Sequence, residues 1–203
     1  MVMRLGFLAS HNGSNMQAIL DACRSGSILA QPVVIISNNR HSGALQRAER
    51  EGIPYQHLSG ATHPDPARLD QAIAAALETR GVDLVLLCGY MKRLGPFTLQ
   101  RFAGTILNIH PSLLPRFGGA GAFGLHVHEQ VLAAGETRTG ATVHLVDADY
   151  DTGRILAQVT VPVMPDDTPQ SLQARVLPFE HQLYCDTLRK IIAGVIRLDC
   201  AQP

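Results

Sequence analysis

The 203-residue chain has no excess of charge: 17 basic side chains face 17 acidic ones. A neutral chain has no general attraction to nucleic acid or to an anionic membrane, although a local basic pocket stays open to it. No apolar run has the length that crosses a bilayer. The first ten residues hold one arginine and a short apolar run, too short for a secretory leader and without a small-residue cleavage site. Cysteine is sparse. Cys23, Cys88, Cys185 and Cys200 lie far apart with no CxxC pair, which predicts reduced, mostly buried thiols. These absences leave a soluble cytoplasmic protein as the expectation.

What is there is a globular composition, 46% hydrophobic and 17% charged. The length suits one α/β domain with a full core, so residues 1–203 are expected to form a single domain. The first two-thirds alternates strand-like and helix-like segments. Strands are predicted at Leu5–Ala9, Val33–Ser37, Tyr55–Leu58, Val82–Cys88 and Thr105–Ile109. Helices are predicted at Asn15–Cys23, where Met16, Ile19, Leu20 and Cys23 share a face, and at Ala44–Arg50, Leu69–Leu77 and Pro96–Phe102. Repeated β–α–β units with short connections predict a doubly wound, mostly parallel sheet. The last third differs. A glycine-rich loop (Gly118–Gly124) precedes a helix at Val127–Ala134. Strands at Thr142–Val146 and Ile155–Val163 suggest an antiparallel extension, and one or two helices fill Pro169–Ile196.

In a doubly wound sheet, ligands bind at the carboxyl ends of the strands. Three polar clusters stand there: Ser10-His11-Asn12-Gly13, Gly89-Tyr90-Met91 and Asn108-Ile109-His110. In the first, Gly13, Ser14 and Asn15 occupy a turn that opens a helix. The free N–H groups of a helix start attract an anion, glycine lets it approach closely, and Ser14 can cap the helix. The glycine spacing of a dinucleotide fold and the GK[ST] of a P-loop are both missing, so a single phosphate monoester fits best. The plain alternative is a capped helix with no ligand.

Asn108 and His110 lie two apart on a buried strand and so point to the same side. Polar side chains there are costly without partners. An amide N–H and a protonated imidazole can hold the oxygen of a tetrahedral intermediate while an amine attacks a formyl carbon. A carboxylate nearby would keep the imidazole charged. Asp147, Asp149 and Asp151 are all candidates, and spacing does not choose between them. His126-x-His128 could suggest a metal. Two apart on a helix, the rings face different ways, and no thiol or carboxylate completes a set, so no metal is expected. His144 is read as structural.

The segments GSN, GYMKRL (89–94), LNIHPSLLP (107–115), TGATVHLVDADYDTGRILAQ (139–158) and FEHQLY (179–184) together resemble the formyltransferase superfamily. The early GSN and the chain length resemble its phosphoribosylglycinamide formyltransferase branch, over nearly the whole chain. The resemblance implies a Rossmann-like formyltransferase fold, and transfer of a formyl group from 10-formyltetrahydrofolate to the amine of glycinamide ribonucleotide in purine biosynthesis. It implies small-molecule substrates, no nucleic acid or membrane partner, and a monomer or homodimer. By match, Gly13, Ser14, Asn15 and Glu180 would hold the ribonucleotide. Met91, Lys92, Arg93, Leu94, Asn108, Asp147 and Asp151 would hold the folate. Asn108, His110 and Asp151 would be catalytic, with Asp151 polarising His110. Two departures stand out. Arg68 is out of register with the family's folate-contacting arginine, and Gly118–Gly124 is longer than the matching turn, so it reads either as a mobile segment beside the site or as a surface insertion.

Overall fold

A computed structural model describes residues 2–198. Cys200 lies outside the described residues. Seven strands form one sheet: β1 (Met3–Leu8), β2 (Ala30–Ser37), β3 (Tyr55–His57), β4 (Leu84–Leu87), β5 (Ile106–His110), β6 (Arg138–Leu145) and β7 (Ile155–Pro162). Their order is β3-β2-β1-β4-β5-β6-β7. The pairs among β1 to β5 are parallel, and β6 and β7 continue the sheet antiparallel. This is the predicted doubly wound α/β sheet with its antiparallel extension.

The helices are α1 (Ser14–Arg24), α2 (Gly43–Arg50), α3 (Pro66–Thr79), α4 (Pro96–Arg101), α5 (Leu125–Ala133) and α6 (Pro169–Ile192). The inner strands are apolar without alternation because both faces are covered; all four residues of β4 are buried. On one face, Met16, Ile19 and Leu20 of α1 and Leu172, Val176 and Leu188 of α6 pack with Phe7, Ile35 and Leu86. On the other, Ile73 and Leu77 of α3 pack with Leu8, Val34 and Val85. The C-terminal segment is a single helix despite Pro178, opened by Thr168 and Ser171, which cap each other's backbone N–H groups.

Chain direction across the sheet reverses at β1. β2 and β3 follow it on one side, and the chain then crosses from β3 through α3 to β4 on the opposite side. The connections after β1 and β4 therefore diverge and leave a crevice at their carboxyl ends. The buried Tyr184 hydroxyl on α6 donates towards the carbonyls of Leu107 (3.1 Å) and Leu87 (3.3 Å), pinning that helix beneath the crevice.

Candidate active site

A cavity of about 540 Å³ occupies the crevice, walled by the three strand-end clusters, by Gly119–Gly124 and by one face of α6. A second cavity of about 70 Å³ opens beside it between Leu87, Tyr90, Lys92–Leu94 and the 146–151 loop. Tyr90, Asn108, Tyr150 and Asp151 line both.

Gly13, Ser14 and Asn15 line the larger cavity. The expectation that Ser14 caps the helix is corrected. Gly13 is the N-cap, in the left-handed region at φ 67°, and no side chain caps α1. The left-handed turn favours glycine, so the motif puts Gly there and Ser14 becomes the first helical residue. The first N–H groups of α1 have no intrahelical acceptor and no side-chain cap, and the helix start lines the cavity. Across the cavity floor, Asn15 Nδ2 donates to Glu180 Oε2 at 2.8 Å, while the buried Asn15 Oδ1 has no partner. Burial pushes the Glu180 carboxyl up to about 7 against the pull of Asn15.

The three aspartates separate cleanly. Asp147 accepts from Asp149 N–H (3.2 Å) and from the Thr152 hydroxyl (2.7 Å), so it braces the loop. Asp149 lies 3.3 Å from Arg93, which also stacks over Tyr150. Asp151 alone reaches the histidines: Oδ2 is 3.5 Å from His110 Nδ1 and Oδ1 is 3.4 Å from His144 Nε2. Asp151 Oδ2 also accepts from Gly119 N–H at 2.9 Å. Burial alone would raise its carboxyl, but His144 and His110 beside it and the Gly119 N–H outweigh burial and hold it below the usual range.

His110 is 3% exposed. Its Nε2 lies 2.8 Å from the Phe117 carbonyl, which fixes that nitrogen as the donor and leaves Nδ1 towards Asp151. Burial is the largest influence and pushes the imidazole down; Asp151 and the Phe117 carbonyl pull it up, and His144 pushes it down again. The balance lies below the ordinary value, because desolvation of this buried ring outweighs the carboxylate.

His144 is expected to be structural, yet it belongs to the cluster. β5 and β6 pair with Asn108 opposite His144 and His110 opposite Thr142, so the period of two brings His144 to the same side. Its Nδ1 bonds the Leu145 carbonyl (2.7 Å), and its Nε2 meets Asn108 Nδ2 at 3.1 Å. An amide nitrogen carries two hydrogens, so Asn108 keeps a second donor. Gln173 and Leu177 line the same cavity as Glu180. The spacing 173, 177, 180 follows one helix face, a signal that Glu180 alone could have extended.

Of the remaining expected residues, Met91 lines the larger cavity, and Lys92, Arg93, Leu94 and Asp147 line the smaller. Arg68 lines neither; it is exposed and faces Asp65 at 3.8 Å. Gly119–Gly124 is a wall of the larger cavity, not a remote insertion. His126 turns outward to Glu129 (2.8 Å), while His128 is buried and lines the cavity.

A doubly wound sheet with an amide, two imidazoles and a carboxylate gathered beside an uncapped helix start defines a class: an α/β enzyme with its polar cluster at the carboxyl ends of the strands. The chain belongs to the formyl transferase family, whose profile matches residues 3–188. Within that family it groups with the phosphoribosylglycinamide formyltransferases. It is 38% identical to the phosphoribosylglycinamide formyltransferase of Haemophilus influenzae over 96% of this chain and 90% of that protein. It is 43% identical to the trifunctional purine biosynthetic protein adenosine-3 of Bos taurus over 96% of this chain, but spans only 19% of that protein's length. The crystal structure of glycinamide ribonucleotide transformylase 1 from Symbiobacterium toebii superposes with a TM-score of 0.91 at 40% identity, covering 98% of this chain and 91% of that one.

Proposed function

We propose that this protein transfers the formyl group of 10-formyltetrahydrofolate to the amine of glycinamide ribonucleotide, a step of purine biosynthesis. One observation carries the reading: Asn108 and Asp151 form a wall common to both cavities, so a formyl donor on one side and an amine on the other meet at those side chains. The ribonucleotide phosphate takes the open N–H groups of Gly13, Ser14 and Asn15, and its ribose lies against Glu180. The folate ring takes the smaller cavity against Lys92, Arg93 and Leu94, with Asp147 holding the facing loop in shape.

The amine attacks the formyl carbon, and the free Asn108 N–H donates to the developing oxyanion. Resting neutral, His110 Nδ1 accepts the proton that the amine sheds, and the new imidazolium is held by Asp151 and the Phe117 carbonyl. Collapse of the intermediate breaks the bond to the folate nitrogen, which takes that proton. The amine has lost one hydrogen and gained the formyl group; tetrahydrofolate has gained the hydrogen. Hydrolysis to formate would need only water as acceptor, and the phosphate cradle favours the phosphorylated amine. Free Cys23, Cys88 and Cys185 accord with a reducing compartment, and we assign the reaction to the cytoplasm.

The test is folate release from 10-formyltetrahydrofolate with and without glycinamide ribonucleotide. The reading expects release only with the ribonucleotide, one formylated product per folate. Equal release in its absence would replace transfer by hydrolysis.

A further inference from the structure

Ser10 is 2% exposed and belongs to neither substrate's proposed contacts, yet it joins the two sides of the crevice. Its N–H donates to the Gly89 carbonyl at 3.0 Å. Its hydroxyl accepts from Met91 N–H at 2.7 Å and donates to Asn38 Oδ1 at 2.6 Å. Gly89 and Met91 belong to the connection after β4, which runs on into Lys92, Arg93 and Leu94 on the folate side. Ser10 itself leads directly into His11, Asn12 and Gly13, on the phosphate side.

The third arm closes a ring. Asn38 follows β2 in the turn whose Ser42 caps α2 by accepting from Leu45 N–H at 3.3 Å. From α2, Ala44 N–H donates to the His11 carbonyl at 3.0 Å, and Arg47 Nε donates to the Asn12 carbonyl at 2.8 Å. Filling the phosphate cradle must therefore load both Ser10 arms together, through the backbone and through α2. The Ser10 hydroxyl is the one side chain in this ring that bonds Met91 N–H, so that load reaches Met91 through it.

We propose that Ser10 is a positioning residue that couples the two halves of the site, so that ribonucleotide occupancy changes folate affinity through the Ser10–Met91 bond. The proposal rests on the formyltransferase reading above. Coupling of this kind is a ratio of affinities and is reciprocal between the ligands.

Tetrahydrofolate and glycinamide ribonucleotide form a pair with no formyl group to transfer, so both can be titrated calorimetrically on the full chain at equilibrium. The wild-type protein is expected to bind tetrahydrofolate at least threefold differently when saturated with the ribonucleotide. Ser10→Ala should bring that ratio to within about 1.5-fold of unity, and Ser10→Thr, which restores the hydroxyl, should recover it. Asn38→Ala, at a half-buried position, frees the hydroxyl to turn and should reduce the ratio without removing Met91's acceptor; it serves as well if Ser10→Ala fails to fold. A wild-type ratio of one, or a full ratio kept in folded Ser10→Ala or in Asn38→Ala, overturns the coupling and leaves the formyltransferase reading standing. A wild-type protein that binds neither ligand overturns both.

Discussion

Asn15 and Glu180, 165 residues apart in the chain, meet at 2.8 Å across the floor of the larger cavity, where the first helix faces the last. Burial raises the Glu180 carboxyl from 4.5 to about 7. A carboxyl raised on folding binds its proton more tightly in the native state. Its cost is therefore absent below about pH 4.5, grows as pH rises towards 7 and is complete above that. Glu180→Gln keeps an acceptor for Asn15 and removes the charge. We expect urea denaturation to show the variant more stable than the wild type at pH 8, by about 2–3 kcal/mol at most, and little changed at pH 4.5. Its Michaelis constant for the ribonucleotide should rise. A variant equally or less stable at pH 8 would show that the carboxylate is better accommodated than its burial implies.

Arg47 supports the turn before α1, the proposed phosphate site, from outside. Besides the Asn12 carbonyl, its guanidinium reaches Gln17 Oε1 (3.1 Å) and Asn12 Oδ1 (3.3 Å). Arg47→Ala should raise the Michaelis constant for the ribonucleotide about tenfold, roughly one charge-assisted hydrogen bond, and change turnover less than threefold. Steady-state kinetics in which the folate constant rises equally would detach Arg47 from the phosphate side.

Gly153 has room for no side chain: an added Cβ would lie 1.9 Å from the Leu145 carbonyl oxygen. The contact closes the 147–153 loop onto the end of β6 and so places Asp151. Gly153→Ala is expected to cut turnover at least tenfold while far-ultraviolet circular dichroism stays native, because a loop can move where a sheet cannot. Wild-type turnover in a folded variant would mean that Asp151 keeps its place without that closure.

Removing the proposed acid–base pair should cost far more. His110→Ala and Asp151→Ala are each expected to lower turnover by about 10²–10⁴-fold, the range of positioned acid–base groups, with modest loss of substrate binding. The double variant should fall little below the worse single one, since the pair acts as a unit. Fully additive losses would argue for separate roles.

The parallel sheet was legible because unbroken apolar runs such as Val33–Ser37 have one sensible place, between two layers of helix. Which end of the sheet holds the site was legible too, since polar residues at the ends of β1, β4 and β5 have nowhere else to go. Sequence spacing did not select Asp151 from its neighbours. That choice depends on a loop in which Asp147 Oδ1 accepts from Asp149 N–H and the Thr152 hydroxyl and Asp149 faces Arg93. His144 was missed because its role comes from register with Asn108, a relation between strands that no local pattern carries. The Ser14 cap failed for a similar reason: the left-handed Gly13 moves the helix start by one residue.

The resting charge of His110 is the point on which the chemistry turns, and nuclear magnetic resonance of its labelled imidazole in the unliganded protein reads it directly. The account predicts a titration midpoint below 6.5, so that the ring is neutral and able to take a proton at pH 7, and a further fall in Asp151→Asn as the carboxylate's upward pull is lost. A midpoint above 7, with the ring charged before any substrate arrives, would contradict it.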